Sequence, residues 1–296
     1  MTTAPTPRVA TLALLASGLL WGLTWMPLKY FAAQQLTGLT LTLCTYGVVG
    51  VVGAPWLWLQ RDRWTTQWGL MVLSGLACGL ANAAFVTAIM FGEIARAMLL
   101  FYLTPVWGVL GGWIFFREPL TPLRITCLGM ALCGAVLVLG GPGTLAGGFR
   151  WMDVVAIAAG FFYAGQNLAS RAATKVSISM KVLVAFVGCG LVAAALLPAA
   201  GHEFPPVDAS LAAKLGAFTV IWLIAAMWTQ IYGVSHMEAG RAAVLVVFEL
   251  VAAVVSAMII AGERLDPLGW VGALLIVAAA LAEARTHSPT VEESRP

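Results

Sequence analysis

The sequence predicts an all-α integral membrane protein with ten transmembrane helices, arranged as two inverted repeats of five helices each. Three observations support this fold class. Hydrophobic residues make up 61% of the 296 residues and charged residues only 10%, far from the composition of soluble domains. Ten apolar stretches have about the 20 residues that a helix needs to cross a bilayer. One stretch also occurs twice, at an offset of 145 residues.

The ten stretches follow one another through short connections. In chain order they span approximately residues 9–29, 36–59, 68–91, 95–116, 122–140, 152–171, 180–200, 211–233, 240–261 and 267–284. The polar N-terminus is too short and too weakly charged for a secretory signal, so we expect the first helix to stay in the protein. The segment 285–296 is polar and is expected to be a disordered cytoplasmic tail.

The duplicated stretch pairs residues 93–123 with residues 238–268, and 11 of the 31 ungapped positions are identical. Apolar identities arise easily in so hydrophobic a chain, so the polar and proline identities carry the weight. These are the pairs Glu93/Glu238, Arg96/Arg241, Glu118/Glu263 and Pro122/Pro267. An internal duplication explains the fixed offset.

A glycine-rich link at residues 140–148 divides the ten helices into five and five. The first repeat is therefore expected at residues 1–145 and the second at residues 146–284. Because five is odd, the second copy enters the membrane from the opposite side, which makes the repeats inverted. A weaker match at an offset of 142, of Gly18 and Trp21 with Gly160 and Tyr163, supports this pairing.

Basic residues set the expected orientation. With the N-terminus inside, eleven lysines and arginines fall on the cytoplasmic side and five on the outer side. Both termini are therefore expected in the cytoplasm. The formal charge of +3 is spread over short loops, so it indicates orientation and no nucleic-acid partner.

Several motifs carry a family resemblance. They are the small-residue and Trp-Gly opening (Ser17, Gly18, Trp21, Gly22), the Pro-Val of 102–106, and the Glu-x-Leu with a downstream Gly that ends each repeat (Glu118, Leu120, Gly129; Glu263, Leu265, Gly272). With these motifs the chain resembles the EamA-type drug/metabolite transporter superfamily, and within it the bacterial exporters of aromatic and other neutral amino acids. The resemblance implies a bacterial inner-membrane protein with a central cavity and peripheral fifth and tenth helices. One departure is that Glu249-Leu250 stands where the first repeat has Thr104-Pro105.

Glu249 is the carboxylate nearest the middle of a predicted span. Because a buried ionisable group is costly, it is a candidate partner for a proton or an amine; the alternative is a hydrogen-bonded structural group. Other polar and aromatic residues within the spans could line an amphipathic cavity beside it. The predicted substrate-binding residues are Trp21, Thr24, Asn82, Tyr102, Tyr163, Asn167, Trp228 and Glu249.

Arg96 and Arg241 begin the fourth and ninth helices, each three residues after a glutamate. They could act as gate latches, one at each mouth of the pathway. The alternative is a local Glu-Arg pair, which adds little stability. Glu118 and Glu263, at the far ends of the same helices, are expected to cap and anchor the following turn.

These residues favour a secondary transporter that exports small amphipathic metabolites. A multidrug or other metabolite efflux carrier is the alternative, and a passive channel is less favoured because no charged ring marks a constriction. No intramembrane catalytic motif is present, so an enzyme is not expected. The five cysteines lack metal-ligand spacing and are interpreted as buried thiols, so neither a metal nor a cofactor is predicted. The expected partners are a small molecule and the lipid bilayer. The sequence does not set the oligomeric state, and a monomer is one possibility.

Overall fold

The computed structural model describes residues 7–146, 148–200, 204–262, 264 and 266–285. All regular secondary structure in these ranges is helical. The helices follow the predicted spans to within a few residues, since a helix satisfies its own backbone groups in lipid. The predicted disordered tail lies outside the described residues except for Arg285, which ends the last helix.

The first repeat contains five helices. Helix α1 consists of Pro7–Leu23 and Trp25–Ala33, and α2 of Gly38–Thr42, the π-helical turn Leu43–Gly47 and Val48–Leu59. Helix α3 is Trp68–Phe91, α4 is split into α4a (Ile94–Phe101) and α4b (Thr104–Phe116), and α5 is Pro122–Val138.

The second repeat has the same order. Helix α6 is Trp151–Ala172, α7 is Ile178–Ala200, and α8 consists of Ala209–Ala217, the π-helical turn Phe218–Leu223 and Ile224–Ser235. Helix α9 is split into α9a (Ala239–Val246) and α9b (Phe248–Ala261), and α10 is Pro267–Arg285.

Eight of the ten helices are long and apolar enough to cross a membrane. Helix α5 is apolar but shorter, with 17 residues. Helix α6 has 22 residues, and its polar side chains, among them Asp153 and Arg171, lower its hydropathy. The charges of α6 are paired within the protein, as described below, so the helix can still lie within the bundle.

Two equivalent contacts on opposite faces show that the repeats are inverted. Arg96 at the start of α4 binds Asp153 at the start of α6. Its counterpart Arg241 at the start of α9 binds Thr11 at the start of α1, and Thr11 precedes Asp153 by the offset of 142. The first contact lies beside the link between the repeats and the second beside the two ends of the bundle, so we call these sides the linker face and the terminal face.

Helix packing follows the same pseudo-symmetry. Helix α3 packs on α6 as α8 packs on α1, and α4 packs on α6 as α9 packs on α1. Helices α2 and α7 pack on each other, as do α5 and α10. The last pair meets at Gly134 and Gly272, where a Cβ on either residue would come within 2.6 Å of the other's carbonyl oxygen.

The symmetry is broken where the repeats meet. On the terminal face, α4b packs closely on α9a, and a Cβ on Gly108 would come within 2.6 Å of the Ala243 Cβ. The corresponding halves on the linker face, α4a and α9b, have few contacts. Helix α3 also packs closely on α7, whereas the equivalent pair, α8 and α2, has few contacts. The molecule is therefore closed on the terminal face.

Candidate functional site

The fourth and ninth helices break at equivalent positions, and the two breaks meet inside the bundle. Helix α4 breaks at Tyr102 and Leu103, and α9 breaks at Val247, 145 residues after Tyr102. The Tyr102 hydroxyl donates a 3.1 Å hydrogen bond to Oε1 of Glu249. At each break the backbone keeps near-helical dihedrals and i→i+3 hydrogen bonds, so each is a single tightened turn, a feature that often marks a functional hinge.

Glu249 lies in the first turn of α9b. The free N–H groups at a helix N-terminus carry partial positive charge, which favours a carboxylate there. Its side chain is only partly buried. The equivalent residue, Thr104, is buried and its hydroxyl donates to the Phe101 carbonyl at 2.6 Å. The two breaks therefore differ in charge.

Aromatic rings lie against the Tyr102–Glu249 pair. The centroid of the Phe101 ring lies 5.7 Å from that of Tyr102, 5.4 Å from that of Tyr163 and 4.7 Å from that of Phe85. Sequence reasoning missed Phe85 and Phe101, because a phenylalanine within an apolar span differs little from its neighbours. Such a wall can stack on an aromatic ring of a solute.

A chain of polar side chains joins three helices beside this wall. The indole of Trp21 donates to Oε1 of Gln230 at 2.7 Å, and Nε2 of Gln230 donates to Oδ1 of Asn167 at 3.0 Å. Asn167 lies one helical turn after Tyr163 on α6. Gln230 was visible in the sequence as a polar residue within a span but was not predicted as a site residue. Trp21, Tyr102, Tyr163, Asn167 and Glu249 thus lie together.

Three predicted residues lie apart from this group. Oδ1 of Asn82 accepts a 2.8 Å hydrogen bond from Thr42 on α2, and the Thr24 hydroxyl accepts one of 3.0 Å from the indole of Trp222 on α8. Trp228 is 40% exposed and stacks on a tyrosine one turn away on α8. These three side chains stabilise helix contacts or face outward rather than meeting Glu249.

Arg96 is buried and anchors the linker face. Its Nε and Nη2 donate to the two carboxylate oxygens of Asp153, each at 2.6 Å, and its other donors reach carbonyls of the link between the repeats. Glu93, three residues before it, pairs instead with Arg150. The local Glu-Arg pair is therefore not formed here, and the arginine ties α4 to α6.

Arg241 anchors the terminal face through two neutral groups of the described residues. Its Nη2 donates to the Thr11 hydroxyl at 3.1 Å and to the Ala284 carbonyl at 2.8 Å. Glu238, three residues before it, forms an ion pair with Arg124. The two arginine contacts are thus equivalent in position and unequal in charge.

Glu118 caps a helix of the other repeat, which differs from the expected role in its own following turn. Its carboxylate oxygens accept hydrogen bonds from the backbone N–H groups of Ala239, at 2.9 Å, and Gly240, at 3.0 Å. Arg171 also pairs with it. The carboxylate satisfies the free N–H groups at the start of α9a and holds α4b, α6 and α9a together on the terminal face. Glu263 lies outside the described residues.

All five cysteines are free thiols, and they are not uniformly buried as expected. Cys133 is exposed on α5 and Cys44 is half-buried, while Cys78 and Cys189 meet across the α3–α7 contact with 3.5 Å between their sulfur atoms. Within the described ranges no three histidine, cysteine or acidic side chains come together as metal ligands do.

The comparisons with known proteins agree with this architecture. A model of the EamA-like transporter family matches the chain twice, over residues 8–140 and 150–282. A search of curated proteins gives no match. A solved structure, described as a crystal structure of a protein, matches 93% of this chain and 96% of its own, with a TM-score of 0.72 and 20% sequence identity. That likeness shows a shared fold.

Proposed function

The chain belongs to the EamA-like transporter family, and from that premise we propose that it exports aromatic or other neutral amino acids. It is a multi-pass membrane transporter. The proposal adds the substrate class, the outward direction and a location in the bacterial inner membrane with both termini in the cytoplasm. The observation that carries the substrate class is the group formed by Glu249, the tyrosines and the amides at the break of α9.

The chemistry of this group suits a zwitterion with an aromatic side chain. The Glu249 carboxylate can bind an ammonium group, and the amides of Asn167 and Gln230 can bind either end of an amino acid. The rings of Phe101 and Tyr163 can stack on an aromatic side chain. Basic residues lie at the two faces and not in this group, so a multiply charged phosphate would find no counter-ions there.

Alternating access is the mechanism that we propose for this carrier. Inverted repeats can exchange conformations, so that the face closed in one state opens in the other. In the present structure the terminal face is closed by the contact between α4b and α9a. Arg96 and Arg241 would act as latches at the two faces. Opening the terminal face would require Arg241 to leave Thr11 and the Ala284 carbonyl.

Transport by purified protein in liposomes tests the substrate class. We expect saturable uptake and counterflow of phenylalanine and tryptophan. Replacing Trp21 or Tyr163 with Ala should weaken transport of phenylalanine about fivefold more than that of alanine, since a good aromatic contact contributes about 1 kcal/mol. Trp228→Ala is the matched control, because this tryptophan lies apart from the site and should leave the ratio unchanged.

Two results would contradict the proposal. Transport of a lipophilic cation without any amino acid would identify a drug-efflux carrier of the same family. Flux that neither saturates nor shows counterflow would identify a channel.

A further inference from the structure

Lys181 is a buried cation outside the group around Glu249. It lies in the first turn of α7 and is 2% exposed. A lysine near the end of a membrane helix ordinarily extends its side chain toward water, and sequence analysis counted it among such cytoplasmic cations. In the structure it turns inward instead.

The ammonium group of Lys181 has no carboxylate beside it. Its Nζ donates to the Ser235 hydroxyl at 3.0 Å, and none of the ion pairs in the described part of the chain includes it. An ammonium group has three N–H donors and holds a full charge. A single neutral hydroxyl is weak compensation for such a group in a membrane protein, where buried charges are ordinarily paired or border a solute pathway.

Hydroxyl and amide groups extend the surroundings of Lys181 toward α6. The Ser235 hydroxyl donates to the Ser170 carbonyl at 3.4 Å, and the Ser170 hydroxyl lies 3.0 Å from that of Ser74. Nε2 of Gln166 donates to the Ser170 hydroxyl at 3.5 Å. Oε1 of Gln166 is buried and has no hydrogen-bond partner. We call Ser74, Gln166, Ser170, Lys181 and Ser235 the Lys181 cluster.

The Lys181 cluster has an unmet demand at each of its two ends. The ammonium group has donors to spare, and the Gln166 side chain, which is 1% exposed, has an acceptor without a donor. A carboxylate is the natural partner for the first group and an ammonium N–H for the second, and an amino acid carries both. Leaving such groups unpaired in the interior costs free energy. A ligand that pairs with both groups would recover this free energy once the terminal face opens and admits it.

The position of the cluster places it between the terminal face and the candidate substrate site. Its members come from the ends of α6 and α8 and the starts of α3 and α7, all on the terminal face. Gln166 adjoins Asn167, which belongs to the polar chain that leads to Trp21. A solute that enters when this face opens would meet the cluster before Glu249.

We propose that the Lys181 cluster is the entry site for the amino-acid substrate. This proposal rests on the proposed function. The ammonium group of Lys181 and the Ser235 hydroxyl bind the substrate carboxylate, and Oε1 of Gln166 accepts a hydrogen bond from the substrate ammonium group. The cluster therefore selects zwitterions over amines of the same shape. This selection takes place before the aromatic side chain of the substrate reaches the rings beside Glu249.

The test compares phenylalanine with phenethylamine, which lacks the carboxylate, as substrates offered to the terminal face of oriented vesicles. Lys181→Met should reduce the preference for phenylalanine at least about tenfold, because a site built to bind a group discriminates strongly against its absence. Lys175→Met is the matched control, since Lys175 is exposed on the same face and should keep the preference. Thermal unfolding should show Lys181→Met to be at least as stable as the parent, because an apolar residue replaces a poorly paired charge.

Each outcome decides the proposal. An unchanged preference in Lys181→Met, while the parent transports phenylalanine, overturns the entry site and leaves the proposed function intact. A large loss of thermal stability with an unchanged preference assigns Lys181 a structural role. If Lys181→Met does not fold, Ser235→Ala gives the same comparison, with a smaller loss of preference expected. Failure of the parent to transport any amino acid overturns the proposed function and the entry site together.

Discussion

At the scale of single residues, Glu249 differs from the arginines that pair with carboxylates near the two faces. Arg96, Arg124 and Arg171 each have a carboxylate partner near one of the two faces. Glu249 lies at a helix break with a tyrosine hydroxyl as its hydrogen-bond partner. A carboxylate in that position can exchange its partner for a solute without breaking an ion pair.

Glu249→Gln is expected to reduce transport of a neutral amino acid at least about tenfold, because a charged partner in a water-poor site is worth several kcal/mol to a bound ammonium group. Glutamine keeps the shape and can still accept the hydrogen bond from Tyr102. Initial rates in liposomes from about pH 6 to about pH 8 measure the effect and its pH dependence. Glu93→Gln, in an exposed surface pair, is the control. Equal rates for Glu249→Gln and the parent over this range would assign Glu249 a structural role.

The sequence singled out Glu249 by its depth in an apolar run, and the structure places it beside Tyr102, Tyr163 and Asn167. The sequence did not single out Lys181, because a lysine at the edge of a span has the same sequence pattern whether its side chain faces water or the interior. The partners of the arginines were also beyond reach, since Asp153 lies 57 residues from Arg96 and only the fold brings them together. Long-range side-chain pairing is the part of a site that periodicity does not encode.

At the scale of helices, the fourth and ninth helices end alike as well as break alike. The residue after α4b is Arg117, with φ of 55°, and the residue after α9b is Gly262, with φ of 70°. The two positions are 145 residues apart. Glycine adopts this left-handed conformation freely, whereas a residue with a Cβ adopts it at a cost of about 1 kcal/mol.

Arg117→Gly is therefore expected to stabilise the protein by up to about 1 kcal/mol, and Gly262→Ala to destabilise it by a similar amount. The Arg117 side chain is exposed, so little packing is lost on its removal. Midpoints of thermal unfolding in detergent measure the two shifts. A lower midpoint for Arg117→Gly would mean that its side chain contributes more than the backbone strain removes.

The sequence predicted the helix boundaries well, and only one of the two central breaks has a signal in the sequence. Pro105 lacks a backbone N–H and lies just after the break of α4, so a discontinuity there follows from covalent chemistry. The break of α9 at Val247 has no proline and no glycine beside it. The structure shows the break of α9, and the offset of 145 relates it to the break of α4.

At the scale of the whole molecule, the inverted repeats place the start of α1 and the end of α10 on the terminal face. Basic residues in short loops predict that this face is cytoplasmic. A cysteine introduced at Gly143, in the link, should then react with a membrane-impermeant thiol reagent added to intact cells, and one introduced at Thr65 should not. The native thiols are first replaced with serine, because Cys133 is exposed. Labelling at Thr65 without labelling at Gly143 would contradict this orientation and place the terminal face outside.

In the alternating-access mechanism proposed above, the close crossing of α3 and α7 makes the two access states unequal in free energy. Gly75 and Gly79 let the α3 backbone reach that of α7 at Gly188. At the offset of 145, α8 has Val220 and Ile224 in place of those two glycines, and branched side chains hold helix backbones further apart than glycine does. In the proposed mechanism the empty carrier therefore has a preferred resting state. A substrate that drives the cycle has to bind the less favoured state more tightly, by at least the free energy that this crossing contributes.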